Sequence, residues 1–189
     1  KASNYDMDIF NDLFLKTKKV SQTYKKHIRK IAIFCDNKKI KKLDFSNIKQ
    51  SGFTISSLNF TKYINKKFLD LVFQSNAYRV FTEIDKVLKI KNIKLIVPNY
   101  ILLKKFIKGY GKKIINYNIY KNKNLAISKN YCGFEKNLVL VYALSFCISN
   151  KINEIRIFGL TKSSSNLKII NLFKSSVKKS KMKFIISIK

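Results

Sequence analysis

The sequence predicts an α/β domain, a doubly wound and mostly parallel sheet with helices on both faces. Three observations predict it. Short, continuous apolar runs recur along the chain, the pattern of strands buried on both faces. Segments of helical period stand between them, and strand–helix alternation implies right-handed crossovers. Hydrophobic residues make up 46% of the chain, which is ample for a core and excludes a purely disordered basic tail.

The elements follow in order. Residues 4–19 read as an amphipathic helix, with Met7, Phe10, Leu13 and Phe14 at helical spacing and Asp6 and Asp8 near its positive end. Residues 20–30 are polar and basic and read as a connector, so the expected organisation is a helix and connector over 1–30 and an α/β domain over 31–189. Ile31 to Cys35 is the first strand, followed by an Asp36-Asn37 turn and a short helical piece around Ile40 and Leu43. Phe53 to Leu58, entered through Gly52, and Leu69 to Phe73 are the second and third strands. Val80, Phe81, Ile84, Val87 and Leu88 mark one helix face.

Ile93 to Val97 is the fourth strand, closed by Pro98; Ile101, Leu102, Phe106 and Ile107 give the next helix, stopped by Gly109. Residues 114–120 alternate Ile115, Tyr117 and Ile119 with Asn116 and Asn118, which predicts an edge or half-exposed strand. Glu135 to Ser149 is apolar almost all round and predicts a helix buried on more than one side. Glu154 to Gly159 is a strand, Leu167, Ile170, Phe173 and Val177 stripe a helix, and Met182 to Ile188 is the last strand.

With 189 residues the chain suits one such domain. Five glycines and one proline exclude collagen-like and low-complexity classes. Forty Lys and Arg against ten Asp and Glu give a formal charge of +30. Such charge suits a polyanionic partner and predicts nonspecific, salt-sensitive binding to polyanions. The lysines are scattered, however, and Lys, Asn, Ile, Phe and Tyr are abundant together, which reads mainly as AT-rich codon usage. Cys35, Cys132 and Cys147 form no metal-ligand or disulfide pattern and read as reduced thiols of a cytoplasmic protein. The longest apolar run, Leu138 to Ile148, is too short to span a bilayer, and the first residues do not form a signal peptide.

In an open α/β sheet, ligands bind beyond the carboxyl ends of the strands, near the switch in strand order. That selects the loops Asp36-Asn37-Lys38, Ser57-Leu58-Asn59, Gln74-Ser75-Asn76 and Gly159 through Ser165. The first lacks the glycines of a phosphate-cradling loop, and Asp36-Asn37 reads equally as an Asx-type turn capping the next helix. Thr161 and Ser163 could hold a phosphate at a helix N-terminus, or Ser163 or Ser164 could serve only as its N-cap. Arg79 stands where a guanidinium could fork onto a carboxylate or phosphate, or lie solvated. The acidic residues are too scattered for a carboxylate pair, and the single histidine, His27, sits in the basic connector, so no catalytic residue, metal or cofactor is named by the sequence.

Four stretches resemble the Rossmann-like domain found C-terminal to pyruvate aldolases of the 4-hydroxy-2-oxovalerate type in surface-polysaccharide gene clusters. They are Ile31 to Phe45, Ile55 to Phe73, Cys132 to Leu144 and Ile152 to Gly159. The pattern is shared with bacterial sialyltransferase-like and hydroxymethylpterin-pyrophosphokinase-like domains. The resemblance adds Asn59, Asn137 and Gly159 to the candidate ligand residues and retains Arg79. It departs at Asp36-Asn37-Lys38 in place of the glycine loop, at Gln74-Ser75-Asn76 in place of a histidine, and at Thr161 in place of an acid. It implies an accessory domain binding a nucleotide, a sugar phosphate or a neighbouring subunit (a second copy or an aldolase barrel). Residues 4–19 would then be the trailing helix of such a barrel, and the chain, which opens at Lys1, a piece of a longer protein. The alternatives are a sialyltransferase-like glycosyltransferase and a basic nucleic-acid-binding protein such as a ribosomal component.

Overall fold

The computed structural model describes residues 28–98, 113–135, 138–178 and 185–188. The expected helix over 4–19, His27, the helix around 101–107 and Asn137 lie outside the described residues. The chain builds strands β1 (Lys30–Phe34), β2 (Thr54–Leu58), β3 (Leu71–Phe73), β4 (Lys94–Val97) and β5 (Ile114–Asn116). A small unit follows with β6 (Asn118–Lys121), β7 (Ala126–Ile127) and β8 (Tyr131–Phe134), and then β9 (Glu154–Phe158) and β10 (Ile185–Ile188). The helices are α1 (Phe45–Gln50), α2 (Ala77–Leu88), α3 (Val139–Ser149) and α4 (Ser164–Lys178).

Seven strands form one sheet in the order β10-β9-β1-β2-β3-β4-β5, and every neighbouring pair is parallel. This is a Rossmann-like doubly wound fold. The apolar runs are continuous because alternate residues feed two separate cores. Ile31, Ile33, Phe73, Ile96, Ile155 and Ile157 face α3 and α4. Ala32, Phe34, Ile55, Val72, Leu95 and Phe158 face the other way, with Phe45 of α1 and Val80, Ile84 and Val87 of α2. Ile28 is already buried in the first core.

Local chemistry sets the helix starts. Asp44 accepts from Asn47 N and Asn76 accepts from Arg79 N, so both cap orphan amides. No side chain caps α3 at Leu138; it is held by burial instead, with Leu140 through Cys147 all inside. The sequence foresaw neither α1 as a separate helix after the 3-10 turn Lys38–Lys42, nor the small sheet.

One expectation needs correction. Residues 114–120 do not form one edge strand. Tyr117 N still bonds Val97 O (3.1 Å), but Asn118 N turns to Asn130 O (2.9 Å) and the chain leaves the main sheet. β6 pairs parallel with β8, and β7 pairs antiparallel with it. The Tyr117 hydroxyl donates to Ser128 O and Tyr131 O, at 3.3 and 3.1 Å, and the Tyr142 hydroxyl donates to Tyr117 O, at 2.5 Å. Cys132 to Phe134, which precedes the expected helix, is part of the central strand of this small sheet, an element the sequence did not reveal.

Candidate functional site

The chain leaves β1 outward through β2, β3, β4 and β5, then returns to β9 on the other side of β1. The switch in strand order therefore lies between β1 and β9. Their carboxyl ends feed the loops at Asp36-Asn37 and Gly159–Ser163, and in this architecture that is where ligands bind.

The two loops are joined. Cys35 N donates to Phe158 O at 3.0 Å, extending the ladder past β1. Asn37 then does two jobs: its Oδ1 accepts from Lys39 N (3.0 Å) and its Nδ2 donates to Gly159 O (3.0 Å). Gly159 has φ 71°, in the region that favours glycine. A Cβ there would come within 2.7 Å of Ile40 Cγ2 and 3.0 Å of Asn37 Cβ. The junction is thus tight and rests on a residue without a side chain.

Beside it, Thr61 Oγ1 donates to Asp36 Oδ1 at 2.6 Å and accepts from Tyr63 N at 3.2 Å. This ties the loop after β2 to the loop after β1. On the β9 side, Thr161 O accepts from Ser163 N and from Asn166 Nδ2, both at 2.8 Å. Ser163 Oγ accepts from Asn166 N at 3.3 Å, so it is the N-cap of α4, and it lies 3.1 Å from Ser165 Oγ. Lys38 and Lys162 are exposed at the two sides of the junction.

The structure therefore brings Asp36, Asn37, Gly159, Thr161 and Ser163 together and gives the capping roles to Asn37 and Ser163. Arg79 is exposed on the first turn of α2, which follows β3, two strands away from β1 in the sheet order. Asn59 serves the turn after β2: it has φ 62°, and its N donates to Phe73 O at 2.8 Å. Sequence reasoning missed Thr61, whose hydroxyl gave no signal apart from its neighbours. Gln74, in the selected loop after β3, is fully buried and donates through Nε2 to Glu83 Oε2 of α2 at 2.5 Å.

Burial pushes the Cys35 thiol up to about 12, so it is not a thiolate nucleophile at neutral pH. Among the described residues no group of three or more His, Cys, Asp and Glu could hold a metal ion. The exposed hydroxyls of Thr161 and Ser165, the lysines and the start of α4 suit a phosphate or a sugar hydroxyl.

Compared with protein-family models, curated proteins and solved structures, the chain gives no significant match. No helix among the described residues is long and apolar enough to cross a membrane.

Proposed function

We propose that this chain is an accessory domain that binds a nucleotide or a sugar phosphate at the junction of β1 and β9. The observation that carries the reading is the meeting of the two loops at the switch point, with the capped start of α4 and two lysines at its rim. A phosphate would take the α4 end and the Thr161 and Ser165 hydroxyls. Asp36, held by Thr61, would accept from a ribose or sugar hydroxyl. Likeness in pattern to the domains that follow pyruvate aldolases supports a cytoplasmic role in surface-glycan biosynthesis, beside a catalytic part outside this chain.

Isothermal titration of the chain with CMP, CDP-sugars and UDP-sugars tests the reading. Saturable one-to-one binding, weakened at least tenfold by Lys162→Gln combined with Ser165→Ala, is the expected result. Absence of heat with every nucleotide would remove the ligand from the proposal. Turnover of a sugar nucleotide, lost in Arg79→Ala, would replace it with a glycosyltransferase.

A further inference from the structure

One strip of the surface groups lysines with aromatic rings. The β1–β2 and β2–β3 connections lie side by side on the face of α1. Between residues 36 and 70 they carry eight lysines against three aspartates. Among the described residues only one of those lysines, Lys49, makes an ion pair, with Asp70 at 2.9 Å. Four others stand over aromatic faces. Lys41 and Lys62 lie 5.3 and 5.6 Å from the Tyr63 ring centre, Lys66 lies 5.5 Å from Phe60, and Lys67 lies 4.9 Å from Phe68. Lys41 comes from the first connection and Tyr63 from the second, so the contact joins the two into one strip. The rings beneath these ammonium groups are partly exposed.

The rings themselves are fixed. Phe60, Tyr63 and Phe68 are half-buried and packed against the lower core, and Phe68 stacks on Phe45 with centroids 6.3 Å apart. Half-buried rings packed on a core do not descend into an acyl layer, which argues against a membrane partner. They can receive a flat partner laid upon them. Lysines alternating with fixed ring faces are what a single strand of nucleic acid needs: cations for its phosphates and platforms for its bases.

We infer that this strip binds single-stranded nucleic acid. The ligand is a phosphodiester chain with unpaired bases, recognised without sequence preference. The inference is independent of the junction between β1 and β9 and of its proposed ligand.

Fluorescence anisotropy of the chain with a labelled oligouridylate of about 12 nucleotides, between about 50 and about 300 mM salt, tests it. Binding should weaken with salt at a logarithmic slope near −3, from about four phosphate contacts at about 0.7 each. Tyr63→Ala should weaken binding about tenfold and leave that slope unchanged, because stacking is lost and no charge is. Changing Lys41, Lys62, Lys66 and Lys67 to Gln should flatten the slope. Changing the exposed Lys86, Lys89, Lys168 and Lys174 to Gln removes the same charge elsewhere and should do much less. Circular dichroism checks that each variant is folded. Equal loss in the two four-lysine variants would overturn the inference, because overall charge would then account for the binding. An unaltered affinity in folded Tyr63→Ala would also overturn it. So would stronger, Tyr63-dependent capture by phosphatidylserine vesicles than by the oligonucleotide.

Discussion

Asn37 Nδ2 donates to Gly159 O at 3.0 Å, so one side chain spans the switch point between β1 and β9 across 122 positions of sequence. The same side chain caps the 3-10 turn through Lys39 N. The two uses can be separated. Asn37→Asp keeps the capping oxygen but sets a carboxylate against the Gly159 carbonyl. Asn37→Ala loses both bonds. We expect each to destabilise the chain by about 1–2 kcal/mol in urea unfolding, the aspartate through its unmatched acceptor. Equal stability of Asn37→Ala and the parent would show that the loops do not depend on each other.

Gly159 and Gly52 form a second test, because both have positive φ, 71° and 82°, but different surroundings. A Cβ at Gly52 meets nothing within 4 Å, whereas at Gly159 it meets Ile40 and Asn37. Gly52→Ala should therefore cost only the backbone preference, about 1 kcal/mol. Gly159→Ala adds crowding and should cost about 2–4 kcal/mol. Urea midpoints of the two variants give the comparison, and equal shifts would mean that the junction yields easily.

The small sheet is anchored by a buried hydroxyl. Tyr142→Phe removes the bond to Tyr117 O and leaves that carbonyl without this donor inside the core. A loss of about 1–3 kcal/mol is expected, with faster amide exchange in β6 and β8 than in β1. Uniform exchange throughout would show that the unit does not open separately.

Burial pushes the thiols of Cys35 and Cys132 up to about 12, and Cys147 higher still. The unfolded thiols ionise near the ordinary value of about 8.5. Raised folded values give stability that is full below that pH and lost as pH climbs toward about 12. Thermal midpoints should hold steady up to about pH 8 and begin to fall above about 9. The buried thiols of Cys132 and Cys147 should react slowly with a disulfide reagent at pH 8 when folded, more slowly than half-buried Cys35, and quickly once unfolded. Rapid labelling of the native chain would contradict the burial.

Much of this fold was legible because its strands are buried on both sides. Ile31 to Phe34 and Ile155 to Phe158 carry apolar residues at both parities, and only a covered parallel sheet uses such runs well. The break at Tyr117 was not legible. Ile115, Tyr117 and Ile119 do share one core, as their alternation suggested, but the departure of Asn118 toward Asn130 depends on a partner strand distant in space. At the junction, the capping role of Asn37 could be read from residue type and place, whereas the choice of Ser163 over Ser164 needed the structure. The bond from Thr61 to Asp36 could not be read, since nothing local links positions 25 apart.

The central claim is that the junction of β1 and β9 takes a nucleotide or sugar phosphate, and amide chemical-shift mapping during titration with UDP or CDP tests it most directly. Saturable shifts should concentrate at Asp36 to Lys38, Thr61 and Gly159 to Ser165. Shifts that stay absent to millimolar nucleotide, or that gather instead along Phe60 to Phe68, would contradict it.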